Sequence, residues 1–166
     1  MSATPLNILF LCTGNSARSL IAEGVLRHLG DGLFKAFSAG SQPTGAPNPF
    51  ALRVLAAHDI ETGFAASKAW DIFAGDDAPV MDLIVTVCDN AAGETCPIWP
   101  GHPQVAHWGV VDPAAANGSD DEILAAFQTT YDEMSSRISA LIAAHPDTET
   151  IGDIARAIGA QAAGRS

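Results

Sequence analysis

Positive charge is scarce in this chain: eight Lys and Arg stand among nineteen Asp and Glu in 166 residues, for a formal net charge of -11. So thin a scatter cannot build the basic face that a nucleic-acid backbone requires, which excludes that partner and means that any bound anion is captured locally. Cysteine is also sparse. Three residues, an odd number, do not suit a secreted disulfide framework and fit a reducing compartment in which thiols are buried or reactive. No run of eighteen apolar residues is present to span a bilayer, and the opening MSATPLNILF has neither a basic start nor a long apolar stretch. A cytoplasmic protein away from membranes is therefore expected. Low-complexity segments are missing too, and with 48% apolar and 16% charged residues the expectation is one globular domain over 1–166.

Along the chain, LNILFL (Leu6 to Leu11) is a short, nearly all-apolar run ending at a Gly-containing turn, the pattern of a central strand covered on both faces. From Ser19, apolar residues Leu20, Ile21, Val25, Leu26 and Leu29 recur at helical spacing until Gly30, so CTGNSAR is a strand-to-helix connection. A second strand is predicted at Leu33 to Ser38, and a second helix at Asn48 to His58 with Pro49 in its first turn. Asp82 to Val87 reads as another buried strand and runs directly into Cys88. Cys12 and Cys88 thus both follow the carboxyl ends of strands, where open α/β sheets place their ligands.

A short strand at Gln104 to His107 precedes the loop WGVVDPA. A long helix is then predicted from Asp120 to about Ala144, with Ser119 and Glu122 as a capping box and Ile123, Phe127, Tyr131, Met134, Ile138 and Leu141 as its apolar stripe. After His145 the pattern weakens. Residues 146–166 form a C-terminal extension in which TIGDIARAIGAQ either docks as a short helix or frays, because Gly152 and Gly159 lower its helix propensity. The fold expected is α/β, a four-stranded parallel sheet with helices on both faces.

The segment Cys12-Thr13-Gly14-Asn15-Ser16-Ala17-Arg18-Ser19 carries the chemistry. Successive backbone N–H groups in a turn that opens a helix form a positive nest suited to a tetrahedral oxyanion, and Thr13, Gly14, Asn15, Ser16 and Ala17 would line it. Gly14 is expected to take an unusual backbone angle there. Arg18 can fork two hydrogen bonds onto anion oxygens, the same field favours a thiolate at Cys12, and Ser19 can donate to the sulfur. Cys88 and Cys96, seven residues apart without paired histidines nearby, lack the usual spacing of a zinc site, and His28, His58, His102, His107 and His145 show no ligand spacing either. No metal is implied.

FLCTGNSARSLIAEGVLRHL, FSAGSQPTGAPNPFALRVL, DLIVTVCDNAAGETCPIWPG and HWGVVDPA together resemble the low-molecular-weight tyrosine-phosphatase superfamily and its arsenate-reductase branch, over roughly positions 6 to 140. The resemblance implies that Cys12 is the nucleophile, that Arg18 and the loop amides bind arsenate (or phosphate or sulfate as analogues), and that Asp112 is the general acid. It also implies a relay in which Cys88 attacks Cys12 in the thiol–arsenate adduct and Cys96 then takes over to give Cys88–Cys96. Reduction needs two electrons that thiols must deliver, whereas a phosphatase needs one thiolate and an acid. The alternative activity is thus hydrolysis of phosphotyrosine or small phosphomonoesters by Cys12, Arg18 and Asp112. Against it, Ala114, Ala115 and Ala116 follow the acid where phosphatases usually carry aromatic residues. No bound cofactor is implied, only an external thiol reductant: thioredoxin, or glutathione or mycothiol with a glutaredoxin-type partner. Asn15, Glu23 and Ser38 match positions that help hold a monovalent cation in some members, while Ser67-Lys68 stands near the remaining ligands. That leaves open whether the Lys68 ammonium replaces an ion or is solvated.

Overall fold

A computed structural model describes residues 5–30, 32–73, 75, 78–87, 103–110, 113 and 116–163. Cys88, Cys96 and Asp112, with Ala114 and Ala115, lie outside the described residues. Four strands, β1 (Leu6–Cys12), β2 (Phe34–Gly40), β3 (Leu83–Thr86) and β4 (Gln104–His107), form one parallel sheet in the order β2-β1-β3-β4. The helices are α1 (Arg18–Leu29), α2 (Pro49–Ala57), α3 (Asp120–Ala143) and α4 (Ile151–Ala163).

Alternation along β1 assigns its two faces. Ile8, Phe10 and Cys12 point to the larger cluster, to which α1, α2, α3 and α4 all contribute, while Leu9 and Leu11 point to a smaller one with Ala39, Phe73, Met81 and Ile84. Helical elements thus cover both faces, but unequally: among the described residues the smaller face receives the 3-10 turn Trp70–Phe73. β1 is buried on both sides, which is why its sequence is a continuous apolar run.

Boundaries differ from expectation in instructive places. β2 runs two residues further than predicted, to Gly40, because its register with β1 continues to Cys12↔Gly40. The capping box is present, Ser119 Oγ accepting from Glu122 N–H at 3.2 Å while Glu122 Oε1 accepts from Ser119 N–H at 3.4 Å. On α3 the predicted stripe faces the core, with Phe127, Met134, Ile138 and Leu141 buried and Ile123 and Tyr131 partly buried against it, and Thr130 is buried beside them. The Thr130 hydroxyl donates to Ala126 O, which lets it be buried, and Tyr131 lies on the flank stacked against His58 with ring centroids 3.8 Å apart. The extension after His145 docks: Ile151 and Ala155 are fully buried, and the Trp108 indole N–H donates to Ala155 O at 2.8 Å. Among the described residues no helix is long and apolar enough to cross a membrane.

Candidate active site

Cys12 ends β1 and is 3% exposed. The chain then crosses from strand to helix in five residues, and three loop carbonyls are engaged from outside: Gln42 N–H donates to Thr13 O, Thr44 N–H to Gly14 O and Asn48 N–H to Ser16 O, at 2.8–3.1 Å. In a planar trans peptide the N–H points opposite its carbonyl. Holding those carbonyls outward therefore turns the N–H groups of Gly14, Asn15 and Ala17 the other way, and the Asn15 N–H meets Cys12 Sγ at 3.2 Å. Ala17, the N-cap of α1, makes no side-chain cap bond. The helix start thus keeps the positive end that suits an oxyanion.

One sequence expectation needs correcting here. The left-handed backbone angle falls on Asn15 (φ 47°), not on Gly14. Gly14 instead provides room, since a Cβ there would stand 3.2 Å from Thr44 Cγ2. Asn is the residue besides glycine that best tolerates this region, and here its side chain is also fully used. Asn15 Nδ2 donates to Ser19 Oγ at 2.8 Å and to Ser38 Oγ at 3.0 Å, while Oδ1 accepts from Lys68 N–H at 2.7 Å. Gly40 was not singled out from the sequence, yet a Cβ on it would collide with Thr13 O and crowd Cys12 O and Asn15 N. Its only signal was a glycine following a strand.

The serines inherit directions from this amide. Ser19 Oγ accepts from Asn15, so its own proton is available for Cys12 Sγ, 2.9 Å away. The sulfur thereby faces two donors, the Ser19 hydroxyl and the Asn15 N–H. Ser38 also accepts from Asn15 and donates to Glu23 Oε1 at 2.5 Å. Glu23, 3% exposed, carries Arg27 on Oε2 at 3.1 Å and has Lys68 Nζ 4.0 Å from Oε1; that ammonium also donates to Ala66 O. A continuous polar path thus leads from two cations through Glu23, Ser38, Asn15 and Ser19 to the sulfur.

Burial pushes the Glu23 carboxyl above its ordinary value of 4.5, opposed by the Ser38 hydrogen bond and then by Lys68 and Arg27. Burial pushes the Lys68 ammonium below its ordinary value, opposed by Glu23 and aided by Arg27. The folded Glu23 therefore holds a proton more tightly than the unfolded chain does. Its contribution to stability is fully present below about pH 4.5 and is lost as pH rises through the raised folded value. Glu23→Gln keeps an acceptor for Ser38 without the ionisation, so its melting temperature should gain on the wild type as pH climbs from about 5 to 8. Thermal unfolding of both proteins across that range checks this, and a constant difference would contradict it.

Arg18 is tied to the chain that follows β4. Arg18 Nη1 donates to Val110 O at 3.4 Å, and Val110 N–H donates to Val87 O at 3.3 Å. Since β1 and β3 are neighbours with Leu11 paired to Thr86, the strand leading to Cys88 runs directly beside the one ending in Cys12.

Comparison with known proteins agrees with this geometry. The family described as Low molecular weight phosphotyrosine protein phosphatase matches residues 7–150. The chain belongs to that family, in its arsenate-reductase branch. It is 42% identical over 132 residues to an arsenate reductase of Bacillus subtilis (strain 168), covering 79% of this chain and 91% of that protein. A solved arsenate reductase in the phosphate binding state superposes with a TM-score of 0.67 at 27% identity, over 83% of this chain and 97% of that one. A thioredoxin-dependent arsenate reductase of Corynebacterium glutamicum gives 0.62 at 26% identity, over 86% and 63%.

Proposed function

We propose that this member of the family reduces arsenate to arsenite by a relay of Cys12, Cys88 and Cys96 in a reducing, cytoplasmic setting. The observation that carries the proposal is the buried Cys12 sulfur held by Ser19 and the Asn15 N–H, inside amides opening a helix that begins with Arg18. Cys12 attacks arsenic, an arsenate oxygen leaves as water with a proton from Asp112, and a sulfur–arsenic(V) bond results. Cys88 then attacks the Cys12 sulfur. The sulfur–arsenic bond breaks with its electron pair left on arsenic, arsenite departs, and a Cys12–Cys88 disulfide forms. Cys96 displaces Cys12 to give Cys88–Cys96, which an external dithiol reduces, so that two electrons enter for each arsenite released.

The reductant we assign is of thioredoxin type. Arsenite release is measured with thioredoxin and its reductase, and in parallel with glutathione or mycothiol plus a glutaredoxin. Turnover with the thioredoxin system supports the assignment, and turnover confined to the other arms replaces it. If no arm gives arsenite while an aryl phosphate is hydrolysed efficiently, the protein is a phosphatase using Cys12, Arg18 and Asp112. We further assign the role of the cation to the Lys68 ammonium beside Glu23. Added potassium, against sodium as control, should then leave melting temperature and activity unchanged, and potassium-specific stabilisation would show a true ion site.

A further inference from the structure

We propose that the C-terminal helix α4 is a positioning element for the oxyanion site, acting through His107 and Trp108 on the backbone at Val110 and from there on Arg18. Residues 151–163 lie beyond the part of the chain that matches the family, which ends at 150. Yet the helix is built onto β4, the edge strand separated from β1 by β3. Its close approach depends on its two glycines: a Cβ on Gly152 would collide with the Gln104 side chain, and one on Gly159 would collide with His107 O and stand 3.0 Å from Trp108 Cδ1. Arg156 Nη1 donates to Val105 O at 3.1 Å and Gln104 Nε2 to Thr148 O at 3.1 Å, tying β4 to the helix and to the turn before it.

Trp108 carries the connection inward. It is fully buried, with its indole N–H on Ala155 O and its ring 6.2 Å, centroid to centroid, from Phe10, two residues before Cys12. Its own N–H donates to Thr86 O at 2.8 Å, and His107 Nδ1 lies 2.8 Å from Thr86 Oγ1. Two residues on, Val110 joins the strand leading to Cys88 through its N–H and Arg18 through its carbonyl. A shift of α4 therefore moves an acceptor of the Arg18 guanidinium. Arg18 acts on the anion, and Trp108 and Gly159 are positioning residues.

The proposal rests on reading residues 12–19 as an oxyanion loop but not on reduction, so inorganic phosphate is the probe, titrated calorimetrically into the full chain well below each variant's melting temperature. Trp108→Phe keeps an aromatic ring and deletes the indole N–H, Gly159→Leu forces the helix off His107 and Trp108, and Ala160→Leu adds the same side chain on the exposed face as a control. Trp108→Phe and Gly159→Leu should weaken phosphate binding about tenfold, the effect of misplacing one charge-assisted hydrogen bond, and Ala160→Leu should not. Lower melting temperatures with unchanged phosphate affinity would overturn the proposal, leaving α4 a structural brace. Should Gly159→Leu not fold, Trp108→Phe decides. If the wild type itself binds no phosphate, the oxyanion-loop reading fails; if it binds and the variants match it, only the positioning role does.

Discussion

Cys88→Ser should abolish multiple-turnover arsenate reduction while leaving whatever weak hydrolysis of a small aryl phosphate the protein shows. The two reactions part company at the second step. Phosphoryl transfer asks only that Cys12 attack, that Arg18 hold the anion and that Asp112 supply a proton, after which water completes the cycle. In the proposed relay, reduction requires a second sulfur to take Cys12 off arsenic, and β3, the neighbour of β1, leads in sequence to Cys88. Cys12→Ser should therefore remove both activities. Cys96→Ser with a thioredoxin-type donor should stall after one turnover, with a Cys12–Cys88 disulfide found by peptide mapping. Retention of much of the rate in that variant with a small thiol would move the reductant assignment away from thioredoxin. Undiminished reduction by Cys88→Ser with every donor would remove the relay altogether.

Asn15→Ala should be severely damaging although the side chain it removes touches no reacting atom. It leaves Ser19 and Ser38 without their amide donor and Lys68 N–H without its acceptor, and places alanine at φ 47°. Unmade buried hydrogen bonds and a left-handed alanine together suggest a loss of about 3 kcal/mol, or roughly 6–12 °C in melting temperature for a domain of this size. Activity below the melting range should fall about a hundredfold, because the loop that aims amides at the oxyanion loses its shape. Asn15→Gly separates the two causes: it relieves the backbone but not the lost bonds, and should recover only part of the stability. If Asn15→Gly matched the wild type in both measures, the side-chain network from Glu23 to Ser19 would have no part in shaping the site.

Much of this was legible in the sequence because the physics behind it is local. A buried parallel strand must be apolar on both faces, so LNILFL announced β1, and a helix start leaves amides unpaired, so Ser119 with Glu122 announced α3. Cys12, Arg18 and Ser19 stand out because five residues between strand and helix leave little else for a cysteine and an arginine to do. What stayed hidden depends on approach between distant segments. Gly40 is required because the loop folds over the end of β2, and Asn15 takes the left-handed angle because Gln42, Thr44 and Asn48 hold the loop carbonyls. Gly152 and Gly159 argued against a stable terminal helix by propensity, yet they are what lets α4 approach β4 and Trp108; tertiary contact reversed their meaning. Thr130 is buried more deeply than Tyr131 for a local reason instead, its hydroxyl being satisfied within the helix.

The central claim, that sulfur atoms of this chain deliver the electrons, is tested most directly by a single turnover without any external reductant. Fully reduced protein is mixed with excess arsenate, arsenite is counted, and the disulfides are mapped after trapping free thiols. The relay predicts one arsenite per chain and one disulfide, Cys88–Cys96, with Cys12 returned as a free thiol. Arsenite without a disulfide, a disulfide without arsenite, or neither product from a protein that hydrolyses aryl phosphate would contradict it.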